Sequence, residues 1–161
     1  MGTLVLAGCA QTGPPSTLLN GWISTSGGGA AIGQVEVDSR NIDLAISDHD
    51  PSSQLKTVCA LLTTDAQTAI GNLPTPDTTL TDDLNNAYEE AAAAGNDCYN
   101  GATGSAALLR RSAAERAKLV PMLNTALERI GTITGHTPST STTLAPNDSG
   151  DPFAPGVVVG R

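Results

Sequence analysis

Apolar residues in the middle of this chain recur every three or four positions, which is the spacing of amphipathic helices. Four such segments are predicted. The glycines at 27 to 29 should separate the first segment from any helical turn near Trp22. This first helix is expected from about residue 30 to residue 47, with one face formed by Ile32, Val35, Ile42 and Ile46.

The second helix has a recognisable start. Asp50 can cap free amide groups and Pro51 suits the first helical position, so the helix should begin there. Gly71 and the Pro-rich segment after it should end it. Its predicted inward residues are Leu55, Cys59, Leu62, Ala66, Ala69 and Ile70.

The third helix is predicted to begin after Asp77 or Thr79, with acidic residues favourably placed in its first turn. Gly95 is expected to stop or kink it. Its predicted inward face comprises Leu80, Leu84, Ala87, Tyr88, Ala91 and Ala94.

The fourth helix is predicted from about Ser105 to Thr132, with a kink at Pro121 because proline has no amide hydrogen to donate. Ser112 and Glu115 form a capping-box pair, which is typical of a helix start and favours a break there. Its predicted inward residues are Leu108, Ala113, Ala117, Val120, Leu123, Leu127 and Ile130.

Four amphipathic helices joined by short connections predict an all-α fold, arranged as an up-down four-helix bundle. We expect this domain to occupy residues 30–133. Residues 9–29 should form a tether and a poorly regular segment. Residues 134–161 are rich in Ser, Thr and Pro and should form a disordered tail.

The charge balance argues against two classes of partner. The chain has 16 acidic and 8 basic residues, and only Arg110 and Arg111 are adjacent basic residues. Phosphate backbones and anionic membrane surfaces bind clustered positive charge. Neither nucleic-acid binding nor electrostatic membrane binding is therefore expected. No apolar stretch approaches the roughly 20 residues that cross a bilayer.

The segment Leu-Ala-Gly-Cys at residues 6 to 9 resembles the lipobox of bacterial lipoproteins, in which the cysteine thiol, here that of Cys9, carries a diacylglycerol. Only eight residues precede Cys9 and none is basic, whereas an export signal has a basic region and 7 to 15 apolar residues. We therefore expect residues 1–8 to be the remnant of a signal peptide. The protein would be lipid-anchored at the extracytoplasmic face of the cell membrane. The alternative is a chance Ala-Gly-Cys sequence.

The odd number of cysteines is compatible with export if one of them has a role other than pairing. With Cys9 assigned to lipid, Cys59 and Cys98 can pair with each other. A bridge over about 40 residues would stabilise the fold by roughly 4 kcal/mol. The alternative is a cytosolic protein in which both are buried free thiols.

Several sequence features lie at characteristic distances between residues 20 and 132, namely Trp22, Ile42, Cys59-x-x-Leu62, LPTPD at 73 to 77, Leu84-x-x-Ala87-Tyr88, Cys98 and LNTALERI at 123 to 130. In these features the chain resembles uncharacterised helical lipoproteins and secreted proteins of high-GC Gram-positive bacteria. The resemblance implies a small helical domain outside the membrane, with Cys59 bonded to Cys98. It supplies no catalytic residue.

The implied bond conflicts with a tight hairpin of the second and third helices. In such a hairpin Cys59 would face residue 90 or so, and Cys98 lies about eight residues, roughly 12 Å, further along. Pairing should therefore require either a later start of the third helix or a break at Gly95.

Residues suited to catalysis or metal binding do not converge. His49 lies between Asp48 and Asp50 in an interhelical turn. We interpret these residues as a solvent-exposed turn in which Asp50 caps a helix, rather than as part of a metal site. The adjacent carboxylates at 82–83 and 89–90 point in diverging directions.

We expect no enzyme, no metal and no cofactor, but a binding or envelope-structural role with an unknown protein partner. The alternative is a bundle that binds a small ligand or a metal in its interior.

Overall fold

The computed structural model describes residues 13–136, and the described part of the chain is all-α without a strand, as predicted. It contains five helices instead of the four expected. The predicted leader remnant, Cys9 and the predicted tail beyond residue 136 lie outside the described residues. The helices are α1 (Pro15–Thr25), α2 (Gly28–Ser47), α3 (Ser52–Gly71), α4 (Thr78–Gly101) and α5 (Ala106–Thr134).

Helix α1 is the largest departure from the sequence prediction, because its 11 residues fall within the segment expected to be poorly regular. Its regularity follows from burial: Leu19 and Trp22 join the core, and the Trp22 indole N–H donates to the carbonyl of Asn72 at 2.9 Å. Gly27 then turns the chain into α2 with a φ of 74°, a backbone conformation that glycine adopts without strain. The predicted interruption before the first long helix is therefore confirmed.

The cores of α3 and α4 match the predicted faces. All the predicted inward residues of α4 are buried, and so are those of α3 except the half-buried Ile70. In α2, however, Ala45 is buried and Ile46 is exposed, so the prediction for Ile46 was wrong. The last turn of α2 therefore places the smaller of these two side chains against the other helices.

The predicted starts of α4 and α5 are confirmed. Asp77 is the N-cap of α4 and accepts from the amide of Leu80 at 2.8 Å, and the hydroxyl of Ser105 caps α5. Asp50 makes no cap bond, because Pro51 itself occupies the N-cap position of α3. Asp77 also accepts from Arg129 of α5, whose Nε lies 2.5 Å from Oδ1, so this cap joins two helices.

Helix α4 runs unbroken through Gly95, contrary to the predicted stop or kink. Gly95 lies against α3 so closely that a Cβ atom there would be 2.8 Å from the carbonyl oxygen of Cys59. The offset between the cysteines is taken up by residues 72–77. Six extended residues can span about 20 Å, which exceeds the roughly 12 Å required. Neither adjustment expected from the sequence is therefore needed.

Most of the buried face of α5 is shifted by one sequence position from the predicted face. Of the predicted inward residues Leu123 is buried, three are half-buried (Leu108, Leu127 and Ile130), and three are exposed (Ala113, Ala117 and Val120). The other buried positions of α5 include Ser112, Arg116, Leu119 and Ala126. Polar side chains can occupy this face because they find hydrogen-bond partners on neighbouring helices. The Ser112 hydroxyl donates to the carbonyl of Ala94 at 2.7 Å. Helix α5 is continuous through Ser112 and through Pro121. The break predicted from the capping-box pair was therefore wrong.

Replacing Gly95 with alanine should separate α3 from α4. We expect G95A to lower the free energy of unfolding by about 2 kcal/mol, the usual effect of overpacking a tight contact. G33A is the matched control, because Gly33 is an exposed position inside α2 with nothing within 4 Å of a Cβ. That control should be neutral or stabilising by up to about 1 kcal/mol. Urea denaturation of both variants measures the difference, and equal behaviour would contradict a close helix contact at Gly95.

Candidate functional site

Cys59 of α3 and Cys98 of α4 form a pair that is compatible with a disulfide. Both side chains are fully buried, their Cα atoms are 5.5 Å apart, and their sulfur atoms lie at bonding distance. Nearby, the Lys56 ammonium lies 5.2 Å from the centre of the Tyr99 ring, a favourable cation–π arrangement. The pair is therefore closed off from solvent by the helices that it would join.

A groove of about 310 Å³ separates α2 from α5. Its wall on α5 is mainly apolar and includes the residues that the sequence pattern assigned to the core: Ala113, Ala117, Val120 and Leu123. Its wall on α2 is polar and is formed by Glu36, Ser39, Arg40 and Asp43. Val120 remains 46% exposed, so this apolar face is open to solvent.

Arg116 is the buried charge of this groove, with only 4% of the residue exposed. Its Nη1 donates to the carboxylate of Asp43 and, at 3.2 Å, to the carbonyl of Ser39. Its Nε is buried without a hydrogen-bond partner among the described residues. An unpaired buried donor costs about 1–3 kcal/mol, so Arg116 retains unused capacity to bind an acceptor.

Arg40 lies on the opposite wall and is half-buried. Its Nε is also buried without a partner, and residues 13–136 supply it with no ion pair. Two facing helices thus bring two guanidinium groups to one groove. Each has a buried Nε–H without an acceptor among the described residues, and guanidinium groups form strong hydrogen bonds with anions.

A second groove, of about 620 Å³, lies between α1 and the connection before α4. Its apolar surface comes from Leu18, Trp22, Pro74 and Pro76, and its polar atoms come from hydroxyl groups and backbone. No charged side chain lines it. The α2–α5 groove is therefore the better candidate for binding a charged ligand.

Asp38 is a buried carboxyl group at the packing of α2 against α3, and only 2% of it is exposed. One of its oxygens accepts from the Gln34 amide at 3.0 Å, and the other lacks a donor among the described residues. When protonated, Asp38 can bond to Asp65. Burial, together with this neighbouring carboxyl group, raises the pKa of Asp38 to about 6.

The residues singled out in the sequence occupy other places. His49 is exposed in the turn between α2 and α3, with a φ of 58°, and lines neither groove. Arg110 is exposed, whereas Arg111 binds the carboxylate of Asp97 and thereby lowers the pKa of Asp97. Across residues 13–136, no three His, Cys, Asp or Glu side chains form a group that could hold a metal ion.

Arg40, Arg116 and Asp38 were not identified from the sequence. One signal for Arg116 was present: the buried positions of α5, from Ser112 to Ala126, alternate steps of four and three residues. This spacing is more regular than that of the apolar residues alone. The apolar residues of α5 do not display this spacing, because Ser112 and Arg116 are polar.

The chain matches no family model, no curated protein and no solved structure. None of the five described helices combines the length and apolar character that crossing a membrane requires.

The cysteine pair should be oxidised in protein produced in an oxidising compartment. In a C9S background, the mass before reduction should be two hydrogens below that of the reduced chain. Replacing both Cys59 and Cys98 with alanine should lower the free energy of unfolding by about 4 kcal/mol, because the bond closes a 39-residue separation. Thiol titration of the unfolded, unreduced C9S chain provides the check, and two reactive thiols would show that no bond forms.

The proton on Asp38 should make stability depend on pH. The folded chain holds this proton up to about pH 6, whereas an unfolded aspartate loses it near pH 4. The contribution of protonated Asp38 to the free energy of unfolding is therefore fully present below about pH 4. It is lost as the pH rises to about 6, a change of roughly 2–3 kcal/mol. D38N cannot ionise and should gain stability relative to the native chain over this range.

Urea denaturation of the native chain and D38N at several pH values between about 4 and 7 measures this difference. D82N serves as the control, because Asp82 is an exposed aspartate on α4. If D38N and the native chain change in parallel with pH, Asp38 does not carry the proton.

Proposed function

We propose that this protein is a lipid-anchored, extracytoplasmic domain with a non-enzymatic binding or envelope-structural role. The buried, disulfide-compatible pair of Cys59 and Cys98 is the observation that carries this proposal. Disulfides persist in oxidising compartments and are rare in the cytosol. Cys9 is then the third cysteine, and it follows the small residues of a lipobox-like motif. Two acyl chains at that position would give stable membrane attachment.

We also propose that α2 to α5 form the up-down four-helix bundle expected from the sequence, to which α1 is added. The most extensive contacts join α3 with α4 and α4 with α5, followed by α2 with α3. Each helix thus packs mainly on its neighbours in the chain, as an up-down connection requires. The contact of α2 with α5 is sparse, and this is where the groove lies.

Small-ligand binding is the second candidate function, and the α2–α5 groove favours it. The groove combines an exposed apolar wall with two arginines that have unused donors. Binding pockets are commonly apolar with a few placed polar groups. This candidate is compatible with membrane anchoring, because the anchor and the groove involve different parts of the chain.

Lipidation of Cys9 is the direct test of the anchored state. The chain should be expressed behind a functional lipoprotein leader in a bacterial host supplied with an alkyne-labelled fatty acid. We expect the label in the native chain and its complete loss in C9A, because only the Cys9 thiol follows the small residues that the peptidase requires.

The double variant C59A and C98A is the matched control, since it removes cysteines while keeping the motif. It should retain the label and partition into the detergent phase like the native chain. A native chain without label, or an equally labelled C9A variant, would contradict the proposal.

A further inference from the structure

The apolar face of α5 beside α2 is left uncovered by the packing of the described helices. Ala113, Ala117 and Val120 line the groove instead of the core, because Ser112 and Arg116 occupy the inward positions. An aliphatic group placed along this face would remove apolar surface from water, which is favourable. The apolar wall of the groove therefore favours a ligand that has an aliphatic portion.

Two guanidinium groups in the groove favour a ligand that also carries a negatively charged group. Arg40 has no acceptor among residues 13–136, and Arg116 keeps a buried Nε without a partner. Both line the same groove, from opposite helices. A planar, negatively charged group could accept from both, and hydrogen bonds to charged groups are about twice as strong as neutral ones.

The other charges of the groove favour a ligand with a single negative charge. Glu36 and Asp43 also line the groove. The Asp43 carboxylate binds Arg116, whereas Arg40 forms no ion pair among residues 13–136. One carboxylate can pair with Arg40, while a doubly charged phosphate would be repelled more strongly than a monocarboxylate by Glu36 and Asp43.

We propose that the α2–α5 groove binds a small aliphatic monocarboxylate, whose carboxylate lies between Arg40 and Arg116 and whose alkyl part packs on Val120 and Leu123. The volume of about 310 Å³ is at the lower end of ligand pockets and suits a short chain. This site is independent of the lipid anchor. It can bind ligand whether or not Cys9 is acylated.

Two sources share this chemistry, a free fatty acid and the C-terminus of a peptide ending in an aliphatic residue. The probes are hexanoate for the first and acetyl-Ala-Leu with a free carboxylate for the second. Hexylammonium has the same alkyl part with the opposite charge and serves as the ligand control. Each is titrated into the full chain while the Arg Nε–H signals are followed by NMR.

We expect hexanoate or the peptide, but not hexylammonium, to shift the Arg40 and Arg116 signals with a Kd of about 1 mM or tighter. The probe that binds more tightly identifies the source. R40Q should weaken binding at least about tenfold, because it removes the unpaired cation. A117L should also abolish binding, because its larger side chain fills the groove without changing any charge.

R110Q is the matched control, since Arg110 is an exposed arginine on α5 that does not line the groove. It should leave the Kd unchanged within about twofold. Thermal unfolding of each variant verifies that the fold is retained, and Arg116 itself is not replaced because it is buried. Equal binding of hexanoate and hexylammonium, unchanged affinity in R40Q, or no shift by either carboxylate would overturn the proposal.

Discussion

The close approach of α3 and α4 at Gly95 is the contact on which the arrangement of this domain depends. Without a side chain at Gly95, the two helices come near enough for Cys59 and Cys98 to meet with Cα atoms 5.5 Å apart. This register leaves residues 72–77 to bridge the offset between the helices. The carbonyl of Asn72 in that connection accepts a hydrogen bond from the indole N–H of Trp22, which attaches α1 to the other helices.

The core around this contact combines leucines with small side chains, and five of the buried positions of α3 and α4 are alanines. Each alanine contributes less buried apolar area than a leucine. Covalent and ionic links between helices add to the stability that burial provides. The cysteine pair joins α3 to α4, while the Asp77–Arg129 and Asp97–Arg111 pairs join α4 to α5. Ion pairs of this kind at the surface contribute up to about 1 kcal/mol each.

The groove is a consequence of the polar residues inside α5. Ser112 and Arg116 face inward because each finds an acceptor there, the carbonyl of Ala94 for the first and the α2 residues Ser39 and Asp43 for the second. Rotating α5 to satisfy them turns apolar residues toward α2, where contact is sparse. The same polar contacts that position α5 thus leave an apolar, arginine-containing surface open, which is the surface that the proposed ligand would occupy.

The sequence alone determined the all-α class, the starts of α4 and α5 at Asp77 and Ser105, and the inner faces of α3 and α4. These features depend on capping and on apolar spacing within a few residues, which the sequence displays directly. The tertiary structure decided the helical state of α1, the rotation of α5 and the presence of the groove. Each of these depends on a partner distant in the chain, such as Asp43, which is 73 residues from Arg116. Local patterns cannot indicate which polar side chain will find such a partner, so a buried arginine could be recognised only after the helices had been brought together.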